Sequence, residues 1–152
     1  MSSRNLIGKC GLYCGACSIY RAQRDSDEWR NRIAEKSNCS SKEVRCNGCG
    51  DLTSACWGKG CKIVVCTQAK GFNFCYECPE YESKSCSKYE SLSERYLNIE
   101  VDLRSNLSRI KEGKIDEWLQ DSEDIFKCKV CGKPISAWSS ECHHCGSKLK
   151  QP

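Results

Sequence analysis

Sixteen cysteines stand in a chain of 152 residues, and no other feature narrows so sharply what the chain can fold into. Thiols at this density become either disulfides or metal ligands. The first ten residues carry Arg4 and Lys9 but no apolar run of the length that export needs, and no later stretch approaches a membrane span. The expected location is therefore cytoplasmic, where thiols stay reduced and closely spaced cysteines read as metal ligands. Composition points the same way. Leu, Ile, Val and Phe together make 26 of the 152 residues, below the share on which an ordinary apolar core is built. Structural zinc makes up such a deficit, because each site contributes roughly 10–16 kcal/mol of apparent free energy coupled to folding.

Metal ligation also changes the charge. The formal net charge of +4 counts cysteine as neutral, whereas ligating cysteines are thiolates. Four zinc ions held by all the cysteines would bring the folded chain to about −4. A general basic footprint for nucleic acid then disappears. A protein partner is favoured over nucleic acid, no membrane partner is expected, and the sequence does not fix an oligomeric state. The basic cluster Arg21, Arg24, Arg30 and Arg32 reads as a solvated helix face.

The expected fold class is a small metal-stabilised α+β protein in three parts. Residues 1–86 form an irregular cysteine-rich domain with short helices, residues 87–126 a helical connector without cysteine, and residues 127–152 a zinc ribbon. Asp25 followed by Glu28 resembles a capping box, and Trp29 and Ile33 lie one turn apart, predicting a helix over 26–37. A second helix is expected over 60–70, ended by Gly71 in a left-handed conformation. In the connector, Tyr89, Leu92 and Tyr96, then Leu103, Leu107 and Ile110, recur at helical spacing. Gly113 interrupts; Asp116 and Glu117 favour a new helix start, and Trp118, Ser122 and Ile125 share one of its faces. Aromatic residues in such stripes read as core.

The strongest motif is Cys128-Lys-Val-Cys131-Gly132 followed by Cys142-His-His-Cys145-Gly146. Four sulfurs about 2.3 Å from one zinc are about 3.8 Å apart, a separation that a two-residue turn provides. Gly132 and Gly146 allow the positive φ that turns backbone amides toward the thiolates. The intervening segment from Lys133 to Glu141 has room for a short hairpin. His143 and His144, the only histidines, sit inside a knuckle where side chains point outward, and four cysteines already close the shell. A closed shell leaves no position for substrate.

In the N-terminal domain the candidate ligands are Cys10, Cys14 and Cys17, the knuckle Cys46 and Cys49, the pair Cys61 and Cys66, and Cys75, Cys78 and Cys86. Cys39 and Cys56 stand more alone. With both included, the twelve cysteines make three four-sulfur sites; the spacing does not pair them. The three-then-two spacing of Cys10, Cys14 and Cys17 is that of radical S-adenosylmethionine enzymes, but too few residues follow for a barrel of about 200 residues.

Cys10-Gly-Leu-Tyr-Cys14-Gly-Ala-Cys17-Ser-Ile-Tyr20, the knuckle at Cys46, Gly60-Cys61-Lys-Ile63 leading to Cys66, and Phe74-Cys75-Tyr-Glu-Cys78-Pro79-Glu80 resemble the domain of unknown function 3795 family. Asn106-Leu107-Ser-Arg-Ile110-Lys111 and Glu117-Trp118-Leu119 resemble the segment that in some members leads into a terminal zinc ribbon. The resemblance implies a metal-binding protein of the kind found largely in anaerobic bacteria and archaea, and it implies no activity. Cys39 and Cys56 fall outside its pattern.

Three functional classes follow. The expected one is a zinc-binding structural or adaptor module, holding three to four zinc ions, for a macromolecular partner. The alternative is an iron–sulfur or dithiol redox protein of anaerobic metabolism with its cluster in the N-terminal domain, since thiolates serve both metals. Catalysis finds little support, because no histidine lies outside the ribbon and no nucleophile elbow or phosphate-binding glycine loop is present. Complete removal of metal by a chelator is expected to unfold most of the chain; unchanged secondary structure by circular dichroism in fully stripped protein would contradict the role given to metal.

Overall fold

The computed structural model describes residues 4–149, so the first three residues of the expected N-terminal domain and the last three of the ribbon segment lie outside the described residues. Seven α-helices follow one another: α1 (Ser18–Asp25), α2 (Asp27–Lys36), α3 (Lys62–Lys70), α4 (Pro79–Glu82), α5 (Ser87–Leu97), α6 (Leu103–Lys111) and α7 (Ile115–Ile125). Short 3-10 turns connect the cysteine clusters between them. None of the described helices is long and apolar enough to cross a membrane.

Local chemistry explains most boundaries. Ser26, rather than Asp25, caps α2 by accepting from Trp29 N at 3.2 Å, and Asp27 and Glu28 fill its first turn. The residue expected to cap α2 is instead the last residue of α1, a short amphipathic helix that follows directly on Cys17. Gly71 ends α3 with φ of 74°. Asp102 caps α6 through Ser105 N. In α7, Trp118, Leu119 and Ser122 are buried, whereas Ile125, expected on the same face, is 64% exposed.

The core joins the two halves of the chain. Leu6, Ile7 and Ile63 pack with Tyr89 and Tyr96 of α5, Leu103, Leu107 and Ile110 of α6, and Trp118 of α7. The aromatic stripes are thus core, as their spacing implies. The loop carrying Cys10 and Cys14 is seated directly on these helices. Tyr89 Oη donates to Cys10 O at 3.0 Å, and Asn106 Nδ2 to Gly11 O at 2.9 Å. Gly11 has φ of 96°, and a Cβ there would lie 2.5 Å from Leu103 O.

The β half of the expected α+β class does not form. Among the described residues, β structure amounts to isolated antiparallel bridges, Ile7 with Tyr13, Lys127 with Pro134 and Glu141 with Lys148. The hairpin expected over 133–141 has a competitor. Ile135 N still donates to Phe126 O at 3.0 Å, but Pro134 has no N–H to extend the ladder. The chain then turns to the N-terminal region, where Ala137 N donates to Ala16 O at 3.0 Å and the hydroxyls of Ser136 and Ser18 are 2.8 Å apart.

Replacing Gly11 with Ala is expected to cost more than about 2 kcal/mol, since positive φ and a backbone clash act together. Gly60, where a Cβ meets nothing within 4 Å, is the control: Gly60→Ala should leave the melting temperature nearly unchanged, and equal effects of the two substitutions would refute the packing argument.

Candidate metal centres

The two ribbon knuckles repeat one another bond for bond. Cys128 N donates to Lys133 O and Gly132 N to Cys128 O, while Cys142 N donates to Ser147 O and Gly146 N to Cys142 O. Gly132 and Gly146 have φ of 75° and 76°. Inside each turn an amide points at sulfur, Val130 N at Cys128 Sγ and His144 N at Cys142 Sγ, both at 3.4 Å. The four sulfurs of Cys128, Cys131, Cys142 and Cys145 all lie within 4.8 Å of one another, with Cys128 to Cys145 and Cys131 to Cys142 each 3.7 Å apart. These are the separations of a tetrahedral zinc shell, about 3.8 Å, so the residues present fit a four-sulfur metal ion. Ser147 Oγ lies 3.3 Å from Cys128 Sγ and 3.1 Å from Cys145 Sγ. Its hydroxyl, followed by the Cys131 and Val130 amides, brings the Cys128 thiol down to about 6, toward the thiolate that a metal needs.

The ten N-terminal candidates are gathered more loosely; among the described residues no three of their sulfurs lie within 4.8 Å of one another. They nevertheless fall into neighbourhoods. Cys49 N donates to Cys14 Sγ at 3.3 Å. The hydrogen bond between the two side chains raises the Cys14 thiol and holds that of Cys49 down at about 7. Burial raises the Cys10 and Cys17 thiols, and Cys49 is a neighbouring thiol of both. Separately, Cys66, Cys75, Cys78 and Cys86 line one cavity of about 20 Å³, room for a single water-sized sphere. Burial pushes the Cys75 thiol up to about 12, with smaller contributions from the thiols of Cys86, Cys66, Cys78 and Cys61. Cys61 is exposed. Cys46 has Cys56 as a neighbour, and the buried Cys56 Sγ accepts from Thr53 N at 3.4 Å. Cys39 borders an open groove with Cys56 and Trp57.

Sequence reasoning missed one constellation. His143 and His144 turn away from the ribbon's sulfurs, as their place in the knuckle implies, but not into solvent. His143 Nε2 lies 2.8 Å from Asp25 Oδ2, and His144 Nε2 lies 3.5 Å from the same oxygen. Arg21 joins from one turn back on α1, its Nη1 3.4 Å from Oδ2. The three side chains of Asp25, His143 and His144 are 14%, 11% and 16% exposed, and the His143 ring packs on Trp29 with centroids 4.8 Å apart. The contact spans 118 residues of sequence, and the only local sign of it is an aspartate that Ser26 makes redundant as a cap.

The family model described as a protein of unknown function (DUF3795) matches residues 6–91, a span holding all twelve N-terminal cysteines and ending within α5. No curated protein and no solved structure matches the chain.

Substituting Ser for Cys131 is expected to remove about one metal equivalent per chain, measured by elemental analysis of purified protein. Unchanged metal content would show that the ribbon sulfurs do not share an ion.

Proposed function

This chain belongs to the DUF3795 family, and from that premise we propose that it is a zinc-bound structural protein that presents a folded surface to a protein partner in a reducing, cytoplasmic setting. The observation that carries the reading is the closed four-sulfur shell of the ribbon. A tetrahedral four-sulfur shell suits zinc, though iron takes the same ligands, and a zinc shell without an open position serves folding rather than chemistry. The N-terminal neighbourhoods extend the same logic. Cys10, Cys14, Cys17 and Cys49 supply one further four-thiol set, and the cavity lined by Cys66, Cys75, Cys78 and Cys86 supplies another. Three zinc ions would then be held, with Cys39, Cys46, Cys56 and Cys61 left as thiols. A protein partner fits the charge once the ligands are counted as thiolates. It also fits the exposed apolar side chains Leu97, Ile125 and Val130, which offer contact area without a basic footprint.

One observation favours a second reading for the N-terminal part alone. The grouping of Cys10, Cys14 and Cys17 around Cys49 would equally suit an iron–sulfur cluster, whose ligands are also four thiolates.

Protein purified without oxygen is expected to be colourless and to carry about three zinc per chain. A brown sample containing iron and sulfide would replace zinc by a cluster in the N-terminal part. Tight binding to nucleic acid that weakens steeply with salt would overturn the protein-partner reading.

A further inference from the structure

The buried constellation of Asp25, His143 and His144 is a poor structural anchor when read as hydrogen bonds alone. Both imidazole Nε2 atoms converge on a single carboxylate oxygen, and His144 Nε2 also lies 3.1 Å from Pro134 O. The network is also incomplete elsewhere, since His143 Nδ1, which faces away from Asp25, and Arg21 Nε are buried without a hydrogen-bond partner; neither is a ligand atom of the constellation.

The geometry suits an ion. The three ligand atoms lie within 4.8 Å of one another, with nitrogen-to-oxygen separations of 2.8 and 3.5 Å. A tetrahedral ion about 2.0–2.2 Å from nitrogen and oxygen ligands needs separations of roughly 3.3–3.6 Å, so the His144 contact already fits and the His143 contact must open by about half an ångström or more. The contacts to the imidazoles and to Arg21 all fall on Oδ2, so an ion taken by Oδ2 requires the arginine to move to Oδ1 or away. Charge is compensated as well. Cys142 and Cys145 flank the two histidines, and a ribbon of four thiolates and one divalent ion carries about −2, which favours a cation beside it; this part of the argument rests on the zinc-ribbon reading.

We propose that Asp25, His143 and His144 form a second kind of metal site, a nitrogen–nitrogen–oxygen site for a divalent cation of the zinc class. Three protein ligands leave a fourth position for water, unlike the closed ribbon shell. Because Asp25 belongs to α1 and the histidines to the second knuckle, the ion clamps the ribbon to the N-terminal part of the fold. Imidazole with carboxylate selects zinc, cobalt or ferrous iron over magnesium or calcium.

Cobalt(II) added to the reduced protein, with its thiolate-bound metals left in place, tests the site. The expected result is binding of about one equivalent with visible d–d absorption and no sulfur-to-cobalt charge-transfer band. Asp25→Asn, which keeps the shape of the side chain but removes its charge and one acceptor oxygen, should weaken that binding about tenfold or more, and His144→Ala should abolish it. Both variants should retain the thiolate-bound metal content, which shows that the ribbon remains folded. No added cobalt in protein whose metal content is accounted for by the thiolate sites, cobalt bound only with sulfur charge-transfer bands, or binding unchanged in both variants would overturn the proposal. The ribbon has a separate readout, the thiolate-bound metal content.

Discussion

The seating of the loop around Cys10 on α5 and α6 is the contact on which the rest of the fold depends. Two backbone carbonyls of a cysteine-rich loop would be left unsatisfied if they were buried against an apolar surface. Tyr89 and Asn106 each reach from a helix to take one of them. Gly11, with no Cβ, lets the loop lie against the backbone of Leu103. The cysteine-bearing half and the helical half thereby share one core, in which Leu6, Ile7 and Ile63 meet Tyr89, Leu107 and Trp118. The cysteine clusters are fastened to a hydrophobic centre rather than strung along an irregular chain. Because so few large apolar residues are available, nearly all of the buried ones are spent at this junction.

How much of this is legible in the sequence depends on the range of the interaction. The ribbon cysteines are legible because a metal shell dictates their spacing directly, and the structure brings the four sulfurs together. Helices α2, α3, α5, α6 and α7 are legible from periodicity and caps. Helix α1 is not, although it is amphipathic, because its eight residues repeat the helical period barely twice and follow directly on Cys17, where the cysteine spacing itself leads one to expect turns; it is held by Ala22, which is fully buried, and by a contact of Arg24 with Cys46 O. Asp25 shows the limit most clearly. Its neighbourhood reads as a capping box, yet Ser26 performs the capping and Asp25 faces two histidines from the far end of the chain. The missing hairpin has the same origin. Ser136 and Ala137 find partners at Ser18 and Ala16, and a backbone that pairs across the molecule is not available to pair locally.

The three groups of cysteines differ in how ready they are for metal. The ribbon sulfurs are already at ligand separation, with amides and a hydroxyl directed at them. The N-terminal sulfurs are grouped but not drawn together, so an ion there must tighten the side chains around itself. A ribbon of two self-contained turns closes locally, whereas the N-terminal sets draw on residues that are far apart in sequence, such as Cys14 with Cys49 and Cys66 with Cys86.

The surroundings of Cys10, Cys14 and Cys75 bear on when a metal ion could reach them. Burial raises the Cys10 and Cys75 thiols, the Cys49 hydrogen bond and then burial raise that of Cys14, and a thiol must give up its proton to bind metal. An ion arriving at the closed fold would have to expel those protons from a dry interior, through a core already packed. An ion arriving while the chain is still open meets solvated thiols that ionise readily. If these sulfurs hold a metal, the ion enters most readily while the chain is still open, and a closed fold would slow both its entry and its release. Metal supply would then act on newly made chains rather than on the standing population of folded ones.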